Sequence, residues 1–225
     1  MLFFKYMQKT IKYLDDISHF NDPETYWVFL FHGFGADASD LKDLSHIMTP
    51  EKKKINWVFP EGIYSVPIGP MMSGRAWWPL TMSQLPSDWT EYSPDNLEIL
   101  KTALWKLIES FRIPWAKIIL GGFSQGAMLA TELYLSAPEK PAGLMSLSGS
   151  LIRKSAWSDY CRNRTQSKVF LSHGEQDQVL PSSGTHKLIQ LFKFNNIECQ
   201  VSSFRGGHEI PMTAILKAKD YLAQL

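Results

Sequence analysis

Apolar runs alternate along this chain with stretches in which apolar residues recur every three or four positions. TYWVFLFHG, which begins at Thr25, and INWVFP, which begins at Ile55, are examples of the continuous runs. Continuous apolar strands are typical of a sheet that is covered on both faces, and the periodic stretches are typical of amphipathic helices. The alternation therefore predicts a mostly parallel central sheet with helices on both faces.

The same pattern predicts the other elements. Further strands are expected at AKIIL, AGLMSLSG, KVFLSHG and IECQVSSF, and TIKYL near the start is a candidate edge strand. Helices are expected at SDLKDLSHIM, SPDNLEILKTALWKLIESF, QGAMLATELYL, SGTHKLIQLFKF and MTAILKAKDYLAQL. In the second of these helices, Ser93 is the expected N-cap and Pro94 the expected first helical residue.

Two connections differ in length and composition. Residues 61–92 lack a helical period and are rich in Pro, Gly, Met and Trp, and irregular connections of this length are uncommon unless they are functional. Residues 150–167 are polar and too short to form a separate cap domain. No repeat or linker interrupts the pattern, so we expect one domain over residues 1–225.

The stretch GGFSQGA places Ser124 directly after an apolar strand and before a helical pattern. Gly122 to Gly126 fit the motif G-x-S-x-G, in which glycines permit a sharp turn that lifts the serine oxygen clear of the sheet. The alternative is a tight turn without chemistry. The strand before and the helix after favour a nucleophile at Ser124.

A serine nucleophile needs a base, and His208 is the best candidate among the histidines. It follows the last strand in FRGGHEIP, where a glycine-containing loop could bring the imidazole to the carboxyl edge of the sheet. His32 and His173 also end strands, and we interpret them as hydrogen-bonding residues that shape the strand-end loops.

The base needs an acid, and LSHGEQDQVLP offers Asp177 and Glu175. We favour Asp177 because Val179-Leu180-Pro181 follow it and could fix its direction, and Glu175 stays the alternative. The chain order Ser124, Asp177, His208 is that of an α/β-hydrolase.

Acyl transfer also needs donors for the developing oxyanion. The backbone N–H of Gln125, directly after the nucleophile, is one candidate. The other is the backbone N–H of Phe34, in the loop HGFGADASD after the first strong strand.

The connection 61–92 has more large apolar residues than a solvated loop needs. We expect some of them to line an acyl-binding groove, with Met71, Met72, Trp77 and Trp78 as the substrate-binding candidates, because flexible Met and flat Trp suit an apolar chain. The alternative is that they cover a sheet edge or close over the core. The full set is Ile63, Tyr64, Ile68, Met71, Met72, Trp77, Trp78, Leu80, Met82 and Trp89.

Charge, cysteine content and segment hydropathy limit the kinds of partner, metal site and location that we expect. A net charge of +1 gives no electrostatic reason to expect a nucleic-acid partner. The two cysteines form no metal-ligand pattern, so we expect free thiols and no metal. No segment has the features of a signal peptide or a bilayer span, so we expect a cytoplasmic protein without stable membrane insertion.

Four segments together resemble the phospholipase/carboxylesterase family of α/β-hydrolases, which includes the acyl-protein thioesterases. They are FHGFGADASD, GFSQGAMLA, LSHGEQDQVLP and GGHEIP, and the resemblance extends from about Val28 to the C-terminus. It implies an α/β-hydrolase fold without a large cap domain, a Ser124–Asp177–His208 triad and oxyanion donors at Phe34 and Gln125. It also implies hydrolysis of small-molecule or lipid-like acyl esters without a cofactor.

Three departures from the family pattern leave these residues intact and concern the substrate. Ala127 stands where a second glycine is common, Gln178 where proline often follows the acid, and Trp78-Pro79 where the thioesterases usually have an aromatic residue followed by Asp. A carboxylesterase or lysophospholipase is the first expectation, and an acyl-protein thioesterase is an alternative. A non-catalytic ligand-binding protein of the same fold is the other, although a pure binder has no need of the Ser, Asp and His set.

Overall fold

Nine strands form the frame of the protein, for which a computed structural model describes residues 11–20, 22–80 and 88–225. They are β1 (Tyr13–Asp16), β2 (Tyr26–Phe31), β3 (Ile55–Pro60), β4 (Tyr64–Gly69), β5 (Met72–Ala76), β6 (Ile118–Phe123), β7 (Gly143–Leu147), β8 (Lys168–Gly174) and β9 (Glu198–Phe204). Seven of them make one sheet in the order β1-β3-β2-β6-β7-β8-β9, and β4 and β5 form a separate hairpin. Only the edge strand β1 runs antiparallel to its neighbour in the large sheet.

Six α-helices are present among the described residues. They are α1 (Leu44–Met48), α2 (Leu97–Ser110), α3 (Gln125–Ser136), α4 (Lys154–Cys161), α5 (Ser183–Phe194) and α6 (Met212–Ala223), and a short 3-10 helix spans Trp115–Lys117. None of these helices is long and apolar enough to cross a membrane.

Strand β2 shows how the sheet separates two cores. Trp27 and Phe29 point into a core that includes residues of α2, α3, α4 and α5. Val28 and Leu30, at the alternate positions, belong to a second core with α6 and Met48 of α1. Because successive strand residues face opposite sides, a strand that is buried on both faces is mostly apolar along its length. The mostly parallel sheet with helices on both faces confirms the predicted fold class.

Helix α3 is buried around its whole circumference, from Gln125 to Leu135. Its one acidic residue, Glu132, is fully buried and contacts Lys101 of α2 at 2.9 Å and Arg153 at 2.7 Å. The indole N–H of Trp157 in α4 donates to the other carboxylate oxygen at 2.7 Å. These partners compensate the cost of burying the charge and join α3 to its neighbouring helices.

Arg164 binds the carboxyl end of the same helix. Its buried guanidinium donates to the carbonyl oxygen of Tyr134 at 2.9 Å and to that of Ala137. A cation at this position satisfies terminal carbonyl groups and interacts favourably with the helix dipole.

The sequence suggested an irregular connection over residues 61–92. The structure shows instead that this connection contains the β4–β5 hairpin. Pro67 and the closely spaced glycines interrupt the alternation, and Val66 is the only buried residue of β4. A hairpin that buries so little has a weak hydrophobic signature. Met71 turns the chain between its strands with a φ of 60°.

The predicted N-cap at Ser93 is wrong. Helix α2 begins at Leu97, preceded by Asn96 with a φ of 62°. Thr90 and Tyr92 instead accept hydrogen bonds from the backbone N–H groups of Lys154 and Arg153, at 2.8 and 3.3 Å. These contacts tie the segment before α2 to the start of α4 and override the local capping preference.

Differences from the predictions also occur in three other regions. The helix expected at SDLKDLSHIM is limited to Leu44–Met48, and turns precede it. The polar connection 150–167 contains α4, which buries Trp157 and Cys161, one turn apart. The edge strand expected at TIKYL lies at Tyr13–Asp16, whereas Thr10 falls outside the described residues.

The first turn of α3 meets the end of β2 with no space for a side chain. A Cβ atom on Gly126 would lie 2.1 Å from the carbonyl oxygen of Phe31 and 2.5 Å from that of His32. Both are backbone atoms, which a side-chain rearrangement cannot move aside.

We therefore predict that Gly126→Ala destabilises the protein by about 3 kcal/mol or more, or prevents folding. Gly69→Ala is the matched control, because the nearest atom to its new Cβ is 4.0 Å away. Urea unfolding of both variants measures the difference. Equal stabilities would contradict the packing argument.

Candidate active site

Ser124 occupies a strained turn between β6 and α3. Its φ is 56° and its ψ is −119°, a conformation that non-glycine residues seldom adopt. A Cβ atom on Gly122 would lie 2.3 Å from the carbonyl oxygen of Gly126, so the turn also needs glycine at that position. The backbone N–H of Ser124 donates to the carbonyl oxygen of Leu147 at 2.9 Å, which fixes the turn to the neighbouring strand β7.

Ser124, His208 and Asp177 form one chain of hydrogen bonds. The Oγ atom of Ser124 lies 2.7 Å from Nε2 of His208, and Nδ1 of His208 lies 2.6 Å from Oδ2 of Asp177. Because a carboxylate only accepts, Nδ1 carries the proton and Nε2 is free to accept the hydroxyl proton of Ser124. The arrangement has the geometry of a nucleophile, a general base and an orienting acid.

Asp177 is held by the residues that follow it. Its Oδ1 atom accepts hydrogen bonds from the backbone N–H groups of Val179 at 2.8 Å and Leu180 at 2.9 Å. This leaves Oδ2 for His208, and the side chain is fully buried. Glu175, the alternative acid, is exposed.

The loop before His208 lies against the end of β8. A Cβ atom on Gly174 would be 2.2 Å from the carbonyl oxygen of Gly207, and the N–H of Gln176 donates to the carbonyl oxygen of Gly206 at 3.0 Å. The ring of Phe123 packs on the imidazole with centroids 4.8 Å apart. These contacts bring the histidine loop over the sheet edge.

The two candidate oxyanion donors belong to segments that adjoin Ser124. Gln125 is the first residue of α3, so its backbone N–H has no acceptor within the helix. Phe34 follows Gly33, and a Cβ atom on Gly33 would lie 3.4 Å from the Cβ of Ser124. The loop after β2 is therefore in contact with the nucleophile turn, and the two roles stay predictions.

His32 and His173 shape the strand-end loops as predicted. Nδ1 of His32 donates to the carbonyl oxygen of Gly33 at 2.7 Å, and its Nε2 accepts from the N–H of Gly62 at 2.9 Å. Burial lowers the pKa of His32 below its ordinary value.

Sequence reasoning missed one contact of His173, which lies beside the acid. Its Nε2 atom donates to the carbonyl oxygen of Leu180 at 2.7 Å and lies 3.2 Å from Oδ2 of Asp177. Burial lowers the pKa of His173 below its ordinary value, which disfavours an ion pair with Asp177. A histidine near the end of a strand, four residues before Asp177, is the signal that could have indicated it.

The four candidate substrate-binding residues fall into two pairs. The side chains of Trp77 and Trp78 are 0% and 1% exposed and belong to the core on the α3 side of the sheet. This burial favours the packing interpretation for both indoles. Met71 and Met72 are exposed at the turn of the β4–β5 hairpin, and Met82 lies outside the described residues.

Comparisons with known proteins identify similar chains along most of the sequence. A family model described as Phospholipase/Carboxylesterase matches residues 14–225. Acyl-protein thioesterase 1 of Eremothecium gossypii is 30% identical over 180 residues, which make up 76% of this chain and 74% of that protein. Acyl-protein thioesterase 1 of Kluyveromyces lactis is 29% identical over 197 residues, 80% of this chain and 82% of that protein. The solved structure of esterase PE8 matches with a TM-score of 0.74 and 25% identity, and covers 88% of this chain and 92% of its own.

We predict that Asp177→Asn lowers ester turnover by about 10⁴-fold, because the amide favours the wrong tautomer of His208. Glu175→Gln is the matched control and should leave turnover within about twofold, since its side chain is exposed. Steady-state kinetics of the two variants decide the assignment. The reverse ranking would move the acid to Glu175.

Proposed function

The chain belongs to the phospholipase/carboxylesterase family, and from that premise we propose that it hydrolyses acyl esters through an acyl-enzyme on Ser124. The observation that carries the proposal is the hydrogen-bonded chain from Ser124 through His208 to Asp177. A serine hydroxyl is a weak nucleophile at neutral pH, and a base at 2.7 Å removes that limitation.

Acylation uses each of these groups in turn. The Oγ atom of Ser124 attacks the acyl carbonyl carbon while Nε2 of His208 takes the hydroxyl proton. Asp177 stabilises the resulting imidazolium, and the N–H groups of Phe34 and Gln125 donate to the oxyanion. The intermediate then breaks the bond to the leaving group, which receives the proton from His208.

Deacylation repeats the sequence with water. His208 takes a proton from the attacking water molecule, and a second oxyanion forms at the same carbonyl. When this intermediate collapses, Ser124 regains its proton from His208 and the carboxylic acid is released. The net reaction consumes one water molecule for each ester bond cleaved.

The substrate class is an acyl ester of a small-molecule or lipid-like alcohol, with an acyl thioester as the alternative. The similarity to two acyl-protein thioesterases supports the alternative, and the similarity to esterase PE8 supports the ester. The same steps serve both, since a thiol leaves more readily than an alcohol. A series of matched oxygen esters and thioesters, compared by kcat/KM, distinguishes them.

Exposed apolar side chains next to the site support an acyl-binding role for the hairpin. Ile68, Met71 and Met72 are exposed on the β4–β5 hairpin, and Phe34 is exposed on the loop after β2. Ile68 reaches that loop, because a Cβ atom on Gly35 would lie 3.0 Å from its Cγ2. We propose that an acyl chain lies along this surface, with Met71 and Met72 in contact with it.

The proposal also includes one α/β-hydrolase domain over residues 1–225 and a cytoplasmic location. The family match over residues 14–225 supports the first. The free thiols of Cys161 and Cys199 support a reducing compartment.

Labelling with a fluorophosphonate tests the catalytic role directly, because this reagent forms a covalent bond with an activated serine. We predict that Ser124→Ala abolishes labelling and lowers ester turnover by on the order of a million-fold. Ser148→Ala is a matched control, since Ser148 is also buried and has a φ of 49° at the end of β7. A Ser124→Ala variant that kept more than a few per cent of wild-type turnover would identify a different nucleophile. Wild-type protein that neither labels nor hydrolyses esters would instead favour a ligand-binding protein.

We predict that kcat/KM climbs with acyl length until the apolar surface is covered, by up to about fourfold per methylene at about 0.8 kcal/mol each. Met72→Ala should flatten the climb, whereas Leu216→Ala, an exposed position on α6, should not.

Trp78→Ala should lower the free energy of unfolding by about 3–5 kcal/mol and reduce activity on short and long esters in equal proportion. A flattened climb in Trp78→Ala with normal stability would return this indole to the acyl-binding groove.

A further inference from the structure

The side chain of Gln125 binds the backbone of the long connection that follows β5. Its Oε1 atom accepts a hydrogen bond from the N–H of Trp77 at 2.9 Å, and its Nε2 atom donates to the carbonyl oxygen of Trp78 at 2.8 Å. The residue is buried, so water does not compete for either atom. One amide thus connects the first residue of α3 to Trp77 and Trp78.

Strand β5, which leads into that connection, binds the loop that contains Phe34. The N–H of Gly35 donates to the carbonyl oxygen of Arg75 at 2.8 Å. The N–H of Arg75 donates in turn to the carbonyl oxygen of Ala36 at 2.8 Å. The approach is close enough that a Cβ atom on Gly74 would lie 1.8 Å from the carbonyl oxygen of Gly35. Residues 75–78 therefore hydrogen-bond to the side chain of Gln125 and to Gly35 and Ala36, the two residues that directly follow Phe34.

The indole of Trp77 adds a third connection. Its Nε1–H donates to the carbonyl oxygen of His32 at 2.8 Å, and the rings of Trp77 and His32 lie with centroids 4.9 Å apart. Because His32 directly precedes Gly33 and Phe34, this bond fixes the start of the second donor's loop.

We propose that the side-chain amide of Gln125 is a positioning residue for the oxyanion hole. It orients its own backbone N–H and, through residues 74–78, the N–H of Phe34. This inference rests on the proposed function, since it concerns the donors of the same reaction. Oxyanion donors act only within about 2.7–3.1 Å of the developing charge, so a small displacement of either donor weakens the transition state more than the bound substrate.

Gln125→Met is the first test, because it keeps the length of the side chain and removes both polar atoms. We expect kcat to fall by about 10- to 100-fold, less than the 10²–10³-fold loss for removing a donor outright, with KM within about twofold. The inhibition constant of a trifluoromethyl ketone, whose adduct with Ser124 has an oxyanion, should rise in parallel with the fall in kcat/KM.

Thr131→Val is the matched control on the same helix. Thr131 is buried, and its hydroxyl donates to the carbonyl oxygen of Ala127 at 2.8 Å, so the variant also removes a buried hydrogen bond from α3. We expect it to lower stability without changing kcat or the inhibition constant. A purely structural role for Gln125 predicts that the two variants behave alike.

Gln125→Glu tests the donor and the acceptor separately and covers the case in which Gln125→Met fails to fold. A protonated carboxyl reproduces both bonds, whereas a carboxylate loses the donor and faces the carbonyl oxygen of Trp78. Burial and this carbonyl should raise the pKa of the introduced carboxyl, so activity should be present below that pKa and lost as the pH rises through it. We expect kcat near the wild-type value at about pH 6 and an additional descending limb above it, while the urea midpoint at each pH reports stability separately.

The outcomes separate this inference from the proposed function. A Gln125→Met variant with wild-type kcat and inhibition constant would overturn the inference, as would a pH profile of Gln125→Glu parallel to that of the wild type. Absence of ester hydrolysis in the wild-type protein would overturn the proposed function itself.

Discussion

The approach of helix α3 to the carboxyl end of β2 is the constraint on which the rest of the site depends. Gly126 lies against the carbonyl oxygens of Phe31 and His32, so the first turn of α3 has only one position relative to the end of β2. Ser124 must then connect β6 to this helix with a φ of 56°. A strained residue costs about 1–3 kcal/mol, which the burial of α3 on every side offsets. The same contact brings the end of β2, and with it the loop that contains Phe34, beside Ser124.

The elements whose bounds were predicted correctly are those in which burial follows one regular pattern along the whole element. Strands β3 and β8 and helix α5 have the predicted bounds, because burial on both faces of a strand or on one stripe of a helix determines the residue pattern. The sequence also allowed us to predict that Ser124, Asp177 and His208 lie close together. Each follows a strand of a parallel sheet, and the carboxyl ends of parallel strands share one edge.

What the sequence did not reveal depends on partners that are distant along the chain. The start of α2 at Leu97 reflects bonds from Lys154 and Arg153, more than fifty residues away. The hairpin at Tyr64–Ala76 has few buried residues, and its pairing with Gly35 and Ala36 leaves no pattern in either segment. The hydrogen bonds of the Gln125 side chain could not be predicted for the same reason. Both partners are backbone atoms, which any residue could supply.

The burial of α3 has an electrostatic consequence for its two ends. A helix has a partial positive charge at its N-terminus and a partial negative charge at its C-terminus. Arg164 binds the carbonyl groups at the C-terminal end, whereas the N-terminal end adjoins Ser124, the proposed nucleophile. Because the protein covers the sides of the helix, dissolved ions can approach this end only through the site itself. The attraction of the helix for a developing oxyanion should therefore depend less on ionic strength than that of charges on the protein surface.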